Sequence, residues 1–300
     1  MTNNYGLKTR DISKAGKFAL NRGVSEKAIG FESAKNISTR WQQFAAYAKA
    51  QGVKKLEHIG FEVAHQYGRA LAERVNAGEL APSTAQNLMS AVNTTMNLAS
   101  RGAWAPVYAV RDCTIGRRSN VRETLPQLAR ETVQQAVVEL RGADKERGAV
   151  VLELARDLGL RAREASLLDA RRAVEQAQAS NWITITDGTK GGRPRALPIN
   201  ESQLATLKHA AHVQANARAV MPPDQNYVQW KNGGLRNARE ALQNHGVQRI
   251  HDLRAAFALD RYQAFRTNGL SDRDARLNVS AELGHGRIDI LSSYIGSYGR

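Results

Sequence analysis

The chain has 300 residues, 42% of them hydrophobic, which is enough for two folded cores and too many for a disordered polyelectrolyte. Its 43 basic against 28 acidic side chains give a formal net charge of +15 and a pI near 10.2, so a polyanionic partner is expected, with DNA and RNA not yet distinguished. No apolar stretch approaches the roughly 20 residues that cross a bilayer, residues 1–11 have no apolar signal core, and the single Cys113 cannot form an internal disulfide, which fits a reducing, cytoplasmic setting without a membrane partner.

Residues 1–30 carry Lys8, Arg10, Lys14, Lys17, Arg22 and Lys27 at loose intervals broken by Gly6, Gly16, Gly23 and Gly30. They read as a basic N-terminal arm, for which a flexible tail and short helices both fit. From Ser38 the period changes. Trp41, Phe44, Ala45 and Ala48 share one helical face, and Phe61, Ala64, Tyr67, Leu71 and Val75 share another, so 31–110 reads as a small helical domain. Pro82-Ser83-Thr84 opens the next helix, with Ser83 as the expected N-cap and Leu88, Ala91, Val92, Thr95 and Ala99 facing inward. Its other faces hold Gln86, Asn87, Ser90, Asn93, Thr94 and Asn97. A hydrated helix surface is the first reading of these amides and hydroxyls, and paired hydrogen bonds to adenine the second.

Weak periodicity around Gly102, Pro106, Gly116 and Arg117-Arg118 puts a linker at 111–123. Thr124-Leu125-Pro126 opens a helix through Leu140, and the strongly apolar helical stretch 149–158 ends in Gly159-Leu160-Arg161. Two β-branched or apolar runs, 182–186 and 195–199, flank Asp187-Gly188-Thr189-Lys190-Gly191-Gly192, which predicts an antiparallel hairpin with Lys190 near its tip. A helix over 201–220 is broken by Met221-Pro222-Pro223, and helices resume from about Leu235. The expected class is mainly α with a small antiparallel β-sheet.

Six polar residues of the second half stand in contexts that suit one chemistry. These are Arg161 after Gly159-Leu160, Lys190 in the hairpin, His251 and Arg254 on one helical face, His285 in Leu283-Gly284-His285, and Tyr294 nine residues later. Each alone is commonplace. An arginine is ordinarily a solvated charge, as Arg163, Arg171, Arg172 and Arg193 are expected to be; a lysine beside Gly-Gly is a turn residue, and His251-Asp252 a helix start. His209, His212 and His245 lack comparable surroundings and read as surface residues. The ordered set closely resembles the tyrosine recombinase (phage integrase) family, over roughly residues 120–300 in its motifs and over 30–110 in general helical character. The resemblance implies a helical core DNA-binding domain at 31–110, half of a clamp around the duplex, and a tyrosine-recombinase-like catalytic domain at 124–300.

The chemistry explains why these residue types are needed together. A phosphodiester is an anion and repels an attacking oxygen until positive groups neutralise its non-bridging oxygens. By resemblance, Arg161 and Arg254 form that clamp, since each guanidinium is permanently charged and can donate two parallel hydrogen bonds. The resemblance further implies that His285 donates to a non-bridging oxygen and His251 assists proton transfer, with the division of labour between the two left open, that Lys190 protonates the departing 5′-oxygen and that Tyr294 is the nucleophile. Glu164, three residues after Arg161, is expected to orient that arginine, and Tyr298 competes with Tyr294 but stands off the family spacing.

The implied activity is site-specific recombination through a 3′-phosphotyrosine, with integration of a mobile element as its setting. The implied partners are double-stranded DNA and further copies of the chain, a tetramer on paired sites. No cofactor or metal is expected, because the sequence has neither a P-loop lysine motif nor a spaced Cys/His set. Many relatives continue past the tyrosine with a helix that docks on a neighbouring subunit; six residues follow Tyr294 here, which leaves the mode of subunit exchange open. The same six residues also suit a type IB topoisomerase-like relaxation cycle, and the same scaffold a catalytically silent DNA-binding regulator.

Overall fold

A computed structural model describes residues 3–124 and 128–298, so the helix opening expected at Leu125-Pro126 lies outside the described residues. The chain divides into two compact units, Met1–Ser119 and Asn120–Arg300. Among the described residues it is mainly α with one two-stranded antiparallel sheet, as the sequence predicts.

The first unit contains α1 (Ile12–Ser25), α2 (Phe31–Ala50), α3 (Phe61–Asn76) and α4 (Pro82–Ala99). Of the two readings of residues 1–30, the structure takes the helical one. Asp11 caps α1 by accepting from the Lys14 amide at 2.9 Å, and its other oxygen takes Lys49 Nζ at 2.8 Å. The reason α1 is folded down is Gly16: a Cβ there would lie 1.9 Å from the Trp41 indole, so the missing side chain lets the helix rest on the ring. Trp41 is fully buried and donates from Nε1 to the Ile12 carbonyl at 3.2 Å. Phe44 and Tyr67 extend this cluster, edge to face with centroids 5.1 Å apart.

Helix α4 opens with Pro82 at its first position, and the cap position is Ala81, not Ser83. The fixed φ of proline pre-sets the first turn without a side-chain cap. The weakly periodic segment after α4 is folded onto it. Val107, Cys113 and Ile115 are buried, and Asn93 pins the segment by accepting from Val107 N and Trp104 Nε1 and donating to Val107 O.

The second unit runs α5 (Arg130–Gly142), α6 (Glu146–Asp157), α7 (Ala162–Leu167), α8 (Ala170–Ser180), β1 (Trp182–Ile185), β2 (Arg195–Pro198), α9 (Glu201–Gln214), α10 (Tyr227–Asn232), α11 (Gly234–Asn244), α12 (Ile250–Thr267), α13 (Asp272–Glu282) and α14 (Ser292–Ile295). Helix α6 buries Val150, Val151, Leu152, Leu154 and Ala155 and is packed by α5, α9, α11 and α12, which makes it the hub of the larger core. The hairpin pairs Ile183 with Leu197 and Ile185 with Arg195. Helix α9 ends at Gln214, short of the expected 220, because Ala215 turns to φ 51° and the buried Gln214 amide ties down the loop, accepting from Ala170 N and donating to Ala217 O. No helix among the described residues is long and apolar enough to cross a membrane.

Truncating the ring that α1 rests on tests this packing. Trp41→Ala is expected to lower stability by about 3–5 kcal/mol, the usual cost of deleting a buried aromatic, as read by chemical denaturation of the full chain. A loss under about 1 kcal/mol would mean that α1 does not depend on the indole.

Candidate active site

Arg161 stands immediately before α7, where the chain leaves the buried α6. Gly159 makes the turn at φ +62° and packs its Cα against the Phe257 ring, where any Cβ would lie 2.4 Å from a ring carbon. Glu164, in the first turn of α7, reaches back to the Arg161 amide at 2.8 Å, and its other oxygen takes Arg161 Nη1 at 2.5 Å. The orienting role expected of Glu164 is therefore present, but the carboxylate does more. It is fully buried, its Oε2 accepts from Arg195 Nη2 at 2.7 Å, and Arg254 Nη1 lies 3.6 Å away. Burial pushes the Glu164 carboxyl up, but Arg195, Arg254 and the Arg161 amide outweigh it and hold it below the ordinary carboxylate value.

Arg254 comes from α12 and has no exposed surface. It donates to the Gly159 and Leu283 carbonyls and, from Nε, to the Tyr294 hydroxyl at 3.3 Å. Burial brings it down to about 10, so it remains charged at neutral pH. Tyr294, on the single turn α14, is 4% exposed. Its hydroxyl also lies 3.0 Å from His285 Nε2, and that nitrogen is 3.4 Å from Arg161 Nη2. A guanidinium can only donate, so this contact requires the His285 tautomer with Nδ1 protonated, leaving the Nε2 lone pair toward Arg161 and the tyrosine.

His251 meets Tyr294 differently. Its ring lies against the tyrosine ring, centroids 5.4 Å apart, and no hydrogen bond joins it to the hydroxyl. Both imidazoles sit at about 4, through desolvation first and then through Arg254 and Arg161; for His285, Lys190 and Arg195 add to the repulsion. His251 keeps an exposed edge, yet the protein around it withdraws enough water for desolvation to lead.

Arg161, His251, Arg254, His285 and Tyr294 thus come together around one hydroxyl. Lys190 does not touch them. It is exposed at the hairpin tip, near enough for its charge to reach His285. The hairpin itself is held beside Arg161, since Gly188, at φ +72°, packs so close to the Arg163–Glu164 backbone that a Cβ would lie 2.8 Å from it. Tyr298 is turned away, its hydroxyl accepting from Gln263 Nε2 at 3.2 Å.

Sequence reasoning missed Arg195. It opens β2 on the inward face, is 7% exposed, and donates to Glu164 and to the Glu282 carbonyl. The available signal was alternation: in a two-residue period Arg195 falls on the same face as the buried Leu197. In the first unit, a concave surface of about 820 Å³ lies between α4 and the segment after it, bordered by Asn87, Ser90, Thr94, Arg111, Arg117 and Arg118. Arg111 is paired there with Asp112 at 2.6 Å.

Residues 116–260 match the family model described as Integrase. No curated protein matches the chain in sequence. Among solved structures the fold is similar to a lambda integrase (75–356) dimer bound to a COC′ core site, at 13% identity and TM-score 0.59, over 94% of this chain and 95% of that one. It is also similar to the Tn1549 transposon integrase in complex with transposon right end DNA, at 12% identity and TM-score 0.56 over 93% and 94% of the two chains. A third is the XerH site-specific recombinase bound to a palindromic difH substrate, at 16% identity and TM-score 0.55 over 94% and 79%.

The depressed imidazoles predict how stability varies with pH. Unfolded histidines take up protons near 6.5 and these two only near 4, so the unfolded chain binds more protons in between. The contribution is fully present above about 6.5 and is lost as the pH falls toward 4. Denaturation midpoints should therefore drop from pH 7 to pH 4.5, and His285→Gln should flatten that slope; an unchanged slope would contradict the assignment.

Proposed function

We propose that this chain, whose residues 116–260 match the Integrase family model, is a tyrosine recombinase (phage integrase) and a site-specific DNA recombinase of a mobile element, cleaving and rejoining strands through a 3′-phosphotyrosine. The observation that carries this reading is a charge imbalance. Arg161, Arg195 and Arg254 share one buried carboxylate, Glu164, beside a buried tyrosine hydroxyl. Such a cluster favours an anion, and a phosphodiester is the anion that a tyrosine oxygen can attack.

In the proposed reaction the Tyr294 oxygen forms a bond to phosphorus as the bond from phosphorus to the 5′-oxygen breaks. Arg161 and Arg254 stabilise the charge that grows on the non-bridging oxygens; Arg254 has five N–H groups, of which three are used within the protein. The phenol proton passes to His285 Nε2, which its 3.0 Å contact supports over His251. A bound phosphate would offset the positive neighbours that depress this imidazole and so raise its basicity. Lys190 Nζ protonates the departing 5′-oxygen. The phosphotyrosine conserves the energy of the broken bond, and a new 5′-hydroxyl reverses the steps with neither ATP nor metal.

Duplex DNA is the proposed partner, with further copies of the chain assembled as a tetramer on paired sites. The net charge of +15 and the basic border of the α4 concavity support the first, and the lambda integrase dimer on DNA supports assembly of more than one copy. A cytoplasmic, DNA-associated setting fits the single buried cysteine.

Duplex carrying the ends of the element that encodes the chain provides the test. Tyr294→Phe should abolish covalent attachment to DNA and leave affinity within about twofold; attachment by that variant would move the nucleophile elsewhere. For Lys190→Ala, cleavage should slow by about 10²-fold or more on a normal substrate and be largely spared when the leaving group is a 5′-thiol, which needs little protonation. Equal losses on both substrates would remove the general-acid role.

A further inference from the structure

Helix α14 is one turn of four residues, too short to be stable by itself, so the orientation of Tyr294 must come from what the turn packs against. Arg122 touches it from outside that helix. Its amide donates to the Ser292 carbonyl at 2.9 Å, two residues before the tyrosine. Two residues after the tyrosine, Gly296 at φ +60° packs so closely on the Arg122 carbonyl that a Cβ would lie 2.4 Å from it. The Arg122 guanidinium turns the other way, pairing with the Asp252 carboxylate at 2.9 Å and donating from Nε to the Thr124 carbonyl at 3.0 Å. Asp252 is 6% exposed and lies between His251 and Arg254 on α12. One residue therefore joins the turn that carries Tyr294 to the helix that carries His251 and Arg254.

We propose that Arg122 is a positioning residue for strand cleavage, a strap that sets the Tyr294 hydroxyl against Arg254 and His285. Attack on phosphorus needs its atoms aligned to within a fraction of an ångström, and a loosened turn would lower the rate without removing any group that contacts DNA in the reading above. The kinetic part of this rests on Tyr294 being the nucleophile; the structural part does not. A second arginine, Arg276, holds the Tyr298 carbonyl, so the turn is tethered beyond the tyrosine as well.

Two measurements on the full chain test the strap. Amide exchange of residues 293–298 in the free protein should quicken at least tenfold in Arg122→Pro, which removes the donated N–H, and in Gly296→Ala, which displaces the carbonyl, while exchange in α12 stays within twofold. Single-turnover cleavage by Arg122→Ala should fall at least tenfold with duplex affinity within twofold of the parent. Arg122→Lys should recover part of that rate by restoring the pair with Asp252, and Arg122→Ala should add no further loss in an Asp252→Asn background. Parental exchange in both backbone variants would overturn the strap. So would a cleavage loss matched by an equal loss of affinity, which would make Arg122 a general structural residue. A parent chain that forms no covalent adduct would sink the functional reading instead, and the exchange measurement would still decide the strap.

Discussion

Three arginines of the second unit, two of them in the neighbourhood of the Tyr294 hydroxyl, converge on one buried carboxylate. Glu164 is fully shielded from water and compensated by the Arg161 amide and by three guanidinium groups, from α7's cap, from β2 and from α12. A carboxylate in that position is tolerable only because it is paired, and the guanidinium groups around it are tolerable only because it is there. Removing it would leave Arg195 and Arg254 as uncompensated buried charges. Because one negative group answers three positive ones, the cluster retains a positive potential, which adds to desolvation in depressing the imidazoles of His251 and His285.

The glycines of the Gly159-Leu160-Arg161 and Leu283-Gly284-His285 turns have a shared physical reason. Both adopt positive φ, and both let backbone approach something bulky: Phe257 at Gly159 and the Arg195 side chain at Gly284. The payoff is geometric, since the Gly159 and Leu283 carbonyls are the acceptors that hold Arg254 in place. These turns therefore build the seat of an arginine that neither of them contains. Arg254 in turn meets the tyrosine hydroxyl, so backbone geometry at two distant turns is transmitted to the Tyr294 oxygen through a single side chain.

Much of this was legible in the chain itself. The faces of α2 and α4 follow from apolar residues repeating at the helical period, as does that of α3 except for Phe61, which is exposed at the first position of the helix, and the hairpin follows from β-branched runs around Gly188 and Gly191-Gly192. The candidate residues Arg161, Lys190, His251, Arg254, His285 and Tyr294 were visible because each sits in a short recognisable context. Helix α1 was ambiguous because what holds it down is Trp41 against Gly16, a contact with no local periodicity. Residues 111–123 read as linker because irregular backbone looks alike whether or not Asn93 fastens its approach.

What the sequence determined alone is the apolar faces of α2 and α4, the hairpin and the short contexts in which the candidate residues stand, since these rest on local preference and periodicity. What only the tertiary structure decided is which charges share a carboxylate, which imidazole meets the tyrosine hydroxyl, and that Arg195 and Arg122 belong to the same neighbourhood. Arg195 finds its partners 31 and 87 residues away, and Arg122 finds Asp252 130 residues away. Pairings at such separations follow from how elements pack around a common core, and no local pattern in the chain encodes them.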